Sequence, residues 1–545
     1  MKLKKSKWNK LPKRVLLIGI MVMTLIGVAA LCTNPVAAGG RNMVTIGMWS
    51  SPGNSLIPMF YHLGYARAVY RLLFSPLLEW NDNLDIVPKM AESYTVSPDG
   101  LTYTFKIREN AFWQDGEPVT SRDVEFSINC LSDPGYSFMD FNLISGIAGA
   151  KDRKEGKNPN LSGFKIIDDK TFEVKTEKVF APLLDGLTEL YILPYHILKG
   201  IPVADIIKNP FASNPTVGCG PYRFVKHATD QYIEMVRNDA YFLGTPKIEK
   251  VFLQIMSPDS AIAQLERGEL DVVLGEGLGD IPNIEIARIK KIPHLELQRA
   301  YSPGCQGLNL MTTHEKFKDL RVRRALAHAL NTKGIIQKIL LDGGSPIPTG
   351  RAVGFPFFNK TLSPYAYNPE KARALLKEAG WDPNTPLRLV APTGNKERLQ
   401  WATVAQQNFK DVGIKAELQQ FDIATMIKMI RTTPEELDGY FVGLQNYMDP
   451  HLYFHRRFHS ESIPGGNLMY YSNPEVDSLI EQGAATLDKS KRTVIYDKIQ
   501  AILHNELPLV PIVSPTSTIA VNKHLKGVRH SILSLTRNIH EWEIQ

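Results

Sequence analysis

The sequence predicts an α/β protein built as two lobes. Three observations carry this. At 545 residues the chain exceeds what one ordinary core organises. Its first 250 residues read as short alternating strands bounded by turns. Beyond residue 258, segments of helical and strand periodicity alternate, the pattern of a sheet with crossover helices.

The strand-rich part opens at residues 43–49, where Val44, Ile46 and Met48 alternate. Residues 91–120, AESYTVSPDGLTYTFKIRENAFWQDGEPVT, hold the clearest hairpin. Pro98 presets the first central turn position and Gly100 suits the exit. Tyr103, Phe105 and Ile107 then alternate with Thr104, Lys106 and Arg108, burying one face. Residues 164–175 read as a second hairpin around Asp168-Asp169-Lys170, and residues 222–236 as a third turning at 227–230.

The second part opens with a short helix after Pro258, its Ile262 and Leu265 on one face, ending at Gly268 before a strand at 271–274. Residues 320–330 are helical, with Val322, Ala325, Leu326 and Ala329 on one side. Asn368-Pro369-Glu370 starts a helix by side-chain capping, a preset φ and charge complementary to the dipole. Gly380 ends it. Strand, helix, strand, helix, strand follow at 387–391, 400–412, 414–421, 423–431 and 440–444. A last helix around 493–505 leads into a buried strand at 508–513.

Composition narrows the function classes. The hydrophobic share of 43% and charged share of 22% are those of an ordinary globular protein. The net charge of +7 comes from the first 14 residues, whose Lys2, Lys4, Lys5, Lys7, Lys10, Lys13 and Arg14 face no acid. Without them basic and acidic residues balance, so nothing argues for nucleic acid or an anionic surface. Residues 15–38 are uncharged and end in Val36-Ala37-Ala38, the order of a secretory signal over residues 1–38. Cleavage near Ala38, lipidation at Cys32 and retention as an anchor stay open, although Leu31 departs from a lipobox. All three export the chain. Cys130, Cys219 and Cys305 remain afterwards with no Cys-x-x-Cys spacing, which disfavours a zinc or thioredoxin site. One disulfide plus a free thiol, or three buried thiols, both fit.

Several blocks together carry a family resemblance. Arg108, Phe112-Trp113, Asp115-Gly116 and Pro118 follow the hairpin at a fixed spacing. Gly218-Cys219-Gly220-Pro221-Tyr222 looks like a Gly-Thr-Gly-Pro-Tyr motif with cysteine in place of threonine. Residues 265–272 (LERGELDV), 319–331 (DLRVRRALAHALN), 367–381 (YNPEKARALLKEAGW), 471–477 (YSNPEVD) and 507–511 (LPLVP) complete the set. In this order they resemble the extracytoplasmic solute-binding proteins of the peptide/nickel family, which feed ABC importers. The resemblance implies a two-lobed periplasmic-binding-protein-like fold, with the ligand site between lobes joined by a hinge. It implies lobe I over 39–255, lobe II over 256–497, and a C-terminal segment, 498–545, returning to lobe I. It also implies an extracytoplasmic monomer that captures a small solute, first of all a peptide, for an ABC permease, with no cofactor. Nickel chelates, opines and oligosaccharides are the alternative ligands.

Asn446-Tyr447-Met448-Asp449-Pro450 is the sharpest ligand candidate, because it follows the strand predicted at 439–444, at its carboxyl end. In peptide-binding relatives an aspartate stands at the position of Asn446 and pairs with the peptide ammonium. The neutral amide leaves Asp449 to supply charge, unless Asp449 is simply a helix cap. His451, His455 and His459 share a helical face, as metal ligands would, but no acid stands one turn away in sequence, so no metal site is expected. His451 alone resembles a histidine that touches nickel chelates in relatives. Cys219 and Gly220 could approach the ligand or the other lobe, or form only a tight turn. Trp49, Phe60, Tyr61, Trp401 and Tyr447 are candidate aromatic walls or core. Arg321, Arg323 and Arg324 could clamp a carboxylate, though they point different ways around a helix.

No Gly-x-Ser-x-Gly, His-Glu-x-x-His, Walker or dinucleotide fingerprint is present. The expectation is a binding protein rather than an enzyme, with a carboxylate-pair hydrolase as the remote alternative.

Overall fold

The computed structural model describes residues 42–61, 64–275, 279–393 and 396–545. The leader, including Cys32 and the expected processing site, lies outside the described residues. Among the described residues no helix is long and apolar enough to cross a membrane.

A twelve-stranded sheet organises the chain. Its first half centres on Met43–Met48, which pairs in parallel with Lys250–Ile255 and with Val272–Val273. The hairpin Tyr222–Ala228 and Tyr232–Arg237 extends that edge. Its second half places Gly304–Leu310 antiparallel to Gly439–Gln445, with Pro386–Pro392 and Lys415–Phe421 parallel beyond. One strand joins the halves. Leu509–Asn522 runs fourteen residues and pairs with Gly304–Leu310 through Leu509 to Val513. It then pairs with Leu295–Tyr301 from Thr516 to Asn522. Only Ser302 and Pro303 separate those two partner strands, so the chain crosses between halves twice, side by side, in opposite directions.

The apolar clusters follow the same division. One cluster runs from Val44 to Leu295, takes in Ile519, Ala520, Val521 and Trp542, and reaches Leu452 and Ala484 of the second half where the halves touch. A second gathers residues from Leu308 to Val513, and a third includes Tyr496, Ile499, Leu503 and Leu509. Cluster membership changes near residues 302 and 515, where the chain passes from one half of the sheet to the other. Ala261, Ile262 and Leu265 pack into the first half, and the helix Lys489–Glu506 packs into the second.

The family blocks of the first half meet in space. Residues Ala91–Val96 and Thr102–Ile107 form the expected hairpin within a four-stranded sheet. Gly100 sits at φ +72°, and Tyr103, Phe105 and Ile107 are fully buried. Gln114, just after it, accepts from Gly218 N at 2.9 Å and donates to Tyr222 O at 2.9 Å. A Cβ on Gly218 would lie 2.1 Å from Leu73 O and one on Gly220 2.5 Å from Leu72 O. Backbone contact sets both glycines.

A candidate ligand site between the two halves

The strand Gly439–Gln445 delivers the residues 446–449, and Asp449 caps the helix Pro450–Phe458 by accepting from His451 N at 2.8 Å. Pro450 occupies the first helical turn, where its missing N–H costs nothing. Asp449 is buried and forms a two-point pair with Arg492, at 2.8 and 3.0 Å. Cap and ion pair together consume its carboxylate.

Asn446 is equally committed. Its Oδ1 accepts from Arg351 Nη1 at 3.3 Å and Ala352 N at 3.2 Å. Its Nδ2 donates to Gly350 O at 3.2 Å and Leu444 O at 3.4 Å. Arg351 is wholly buried and also donates to the carbonyls of Pro356, Tyr447 and Met448. Burial lowers its pKa to about 10, which leaves it cationic at neutral pH. This guanidinium holds the loop at 446–448 in shape through its carbonyls.

A cavity of about 230 Å³ opens beside that loop. The second half of the molecule lines it with Asn446, Tyr447, Leu452 and Arg456, and Pro303 of the crossing forms part of its wall. The first half supplies Tyr61, Arg67, Tyr70 and Arg71 from one segment, and Asp140, Asp185 and Glu189 from another. Direct contacts close the halves around it. Asp185 accepts from Asp449 N at 3.1 Å and from Trp80 Nε1 at 2.8 Å, and Ala181 N donates to Ala484 O at 2.8 Å. Burial, followed by the neighbouring Asp449 charge, raises the pKa of Asp185.

The cavity's charges are unevenly matched. Arg71 pairs with Glu189 at 3.2 Å, Arg67 donates to Tyr61 Oη at 2.9 Å, and Arg456 donates to Tyr447 Oη at 2.9 Å. Burial opposes ionisation of Glu189, yet Arg71 and Arg67 outweigh it and hold the carboxyl below its ordinary range. Asp140 has no such partner: its carboxylate makes no hydrogen bond or ion pair among the described residues. Burial raises its pKa to about 6, against the weaker pull of Arg67.

The sequence candidates divide accordingly. Asn446, Tyr447 and Tyr61 border the cavity. Trp49, Phe60, Trp401, Cys219, Gly220, Asp449 and His451 do not. Phe60 and Trp401 are core residues, and Trp49 packs against the first cluster. Cys219 and Gly220 donate their N–H groups to Leu73 O, and burial pushes the Cys219 thiol up to about 12. Cys130, Cys219 and Cys305 are all buried and unpaired, so the disulfide alternative falls away among these three. Arg321 pairs with Asp319 on the surface, while Arg323 and Arg324 donate to the carbonyls of Glu506 and Asn505. The cavity's guanidiniums are instead Arg67, Arg71 and Arg456. The four-residue spacing of Arg67 and Arg71 on the helix Gly64–Leu73 was the signal for one of these pairs.

Comparison with known proteins places this arrangement. The chain is 29% identical over 446 residues to a putative ABC transporter peptide-binding protein of Brucella ovis, covering 80% of each chain. It is 26% identical over 493 residues to the oligopeptide-binding protein AppA of Bacillus subtilis, covering 87% of this chain and 86% of that one. The structure of Bacillus subtilis AppA with a nonapeptide superposes with a TM-score of 0.77 at 23% identity, over 92% of this chain and 99% of AppA. NikZ of Campylobacter jejuni in complex with Ni(L-His) gives 0.76 at 22% identity, over 93% and 100%. These structures share the two-lobed periplasmic-binding-protein fold. The model of the bacterial extracellular solute-binding proteins, family 5, matches residues 85–464, and the chain belongs to that family.

Proposed function

We propose that the solute captured by this substrate-binding component of an ABC transporter is a small zwitterion, with a short peptide as the leading class. The observation that carries the reading is Asp140: a half-buried carboxylate on the cavity wall without a protein partner among the described residues, near the guanidiniums of Arg67, Arg71 and Arg456. A ligand ammonium at Asp140 would compensate a charge that is otherwise costly to desolvate. Arg67, bonded to the Tyr61 hydroxyl through one nitrogen, has further N–H groups for a carboxylate, and Arg456 adds positive charge on the same wall. The volume favours a small ligand, because about 230 Å³ falls below the roughly 300–1,000 Å³ typical of drug-sized sites. Peptide-binding names among the relatives support the class.

In this reading lobe I comprises residues 43–301 with 516–545 and lobe II residues 302–515, hinged at the two crossings. The protein acts as an exported monomer whose leader is removed near Ala38, and it carries out no reaction on its solute. Calorimetry with dipeptides, N-acetylated dipeptides and peptide amides tests the ligand reading. Free dipeptides should bind most tightly, and blocking either terminus should weaken binding at least tenfold. Equal affinity for all three would overturn the zwitterion reading.

A further inference from the structure

The helix Pro450–Phe458 presents Leu452 and Arg456 to the cavity, while its His451 and His455 gather elsewhere with His459, the residue after its end. One ring nitrogen each of His451 and His455 and one carboxylate oxygen of Glu481 lie within 4.8 Å of one another. The same holds for His455, His459 and Glu461. Glu481 comes from the neighbouring helix Pro474–Ala484, and Glu461 from the turn after His459. The missing acid of the sequence reading is thus supplied by tertiary contact.

We propose that this cluster is a binding site for one zinc-type divalent transition ion, separate from the ligand cavity. Imidazole nitrogens with a carboxylate oxygen are the donor set such ions prefer. Glu481 Oε1 stands 3.9 Å from His455 Nε2 and 3.9 Å from His459 Nε2, and Glu461 Oε1 stands 2.9 Å from His455 Nε2. Donors about 2.0–2.2 Å from a tetrahedral zinc lie roughly 3.4 Å apart, so separations of up to 4.8 Å close by side-chain rotations on the order of an ångström. An independent observation points the same way. His451 is 7% exposed, and its Nδ1 has no hydrogen-bond partner among the described residues. A buried ring nitrogen left without a partner is costly, and an ion would satisfy it.

The ion would also brace the contact between the halves. Glu481 accepts from Lys178 of the first half through Oε2, at 3.2 Å, while its Oε1 faces the histidines. Phe180, two residues on, packs edge-on against His451 with ring centroids 5.7 Å apart. An ion on Oε1 fixes Glu481 and His451 where Lys178 and Phe180 meet them, so ion binding and closure favour each other.

Zinc chloride titrated calorimetrically into tag-free, chelator-treated full chain tests this, without any added peptide. One equivalent should bind with micromolar or tighter Kd and raise the unfolding midpoint, and magnesium should do neither. His455→Ala should weaken zinc binding at least tenfold and leave dipeptide affinity measured without zinc within twofold. Should that variant fail to fold, Glu481→Gln carries the same expectation. Zinc binding equal in wild type and either folded variant, or no binding up to millimolar zinc, would overturn the site. So would binding that appears only with added histidine or peptide, which would mark chelate capture in the cavity instead.

Discussion

Replacing Asp140 with asparagine should move stability and binding in opposite directions. The wild-type carboxylate is half-buried on the cavity wall without a protein partner among the described residues, and its pKa stands at about 6 rather than 3.8. A carboxylate raised in the folded state favours the protonated form there. Its destabilising charge is absent below the ordinary value, grows as pH rises from about 4 to 6, and is fully present above. A shift of this size corresponds to at most about 3 kcal/mol, and partial exposure reduces it to the order of 1–3 kcal/mol. Asp140→Asn should therefore stabilise the unliganded protein by that amount at pH 8, with the gain vanishing towards pH 4. Binding should suffer, because losing a charged hydrogen bond to an ammonium costs about 1.5–3 kcal/mol, or roughly 10- to 100-fold in Kd. Wild-type affinity should also weaken below pH 6, approaching tenfold per pH unit, and the variant should lose that dependence. Urea unfolding and dipeptide calorimetry between pH 4 and 8 measure both effects. Lower stability at pH 8 with unchanged affinity would refute the reasoning and make Asp140 a structural residue.

Three further outcomes follow from the packing. Gly220→Ala sets a Cβ against Leu72 O and should cost about 2–4 kcal/mol in urea unfolding; a change under 1 kcal/mol would show that this turn yields. Asp438 is fully buried among His314, Lys316 and Arg388, and although burial opposes it, hydrogen bonds from these groups hold its pKa well below the ordinary value. Its stabilisation is present above about pH 4 and lost as pH falls further, so Asp438→Asn should cost about 3–5 kcal/mol at pH 7 and progressively less in acid, read from unfolding midpoints. Asn446→Asp gains a charge beside Arg351 but loses both amide donors, to Gly350 O and Leu444 O. It should lower stability by about 1–3 kcal/mol and leave the order of ligand affinities unchanged, contrary to what a direct ligand contact would give.

Local patterns in the sequence reached most of the elements and part of the site. The hairpin at 91–107 is legible because alternation, Pro98 and Gly100 all act within a few residues. The strand Leu509–Asn522 is legible only to Val513. Its continuation through Ser514, Thr516 and Ser517 is polar in composition and owes its extended form to pairing with Leu295–Tyr301, over two hundred residues away. Tyr447 and Asn446 are legible by position after a strand, but the internal commitment of the Asn446 amide depends on Arg351, ninety-five residues earlier. Asp140 carries no local signal, since its character comes from burial and from the Arg67 and Arg456 brought to it. Cys219 and Gly220 are marked by the same motif that suggested them, yet the constraint behind it is backbone contact with Leu72 and Leu73.

Mass spectrometry of solutes released by denaturing natively purified protein tests the central claim most directly. The account predicts a small solute carrying both a free ammonium and a free carboxylate, two or three residues long if a peptide. Release of a long peptide, a neutral oligosaccharide or an N-blocked compound as the main species would contradict it.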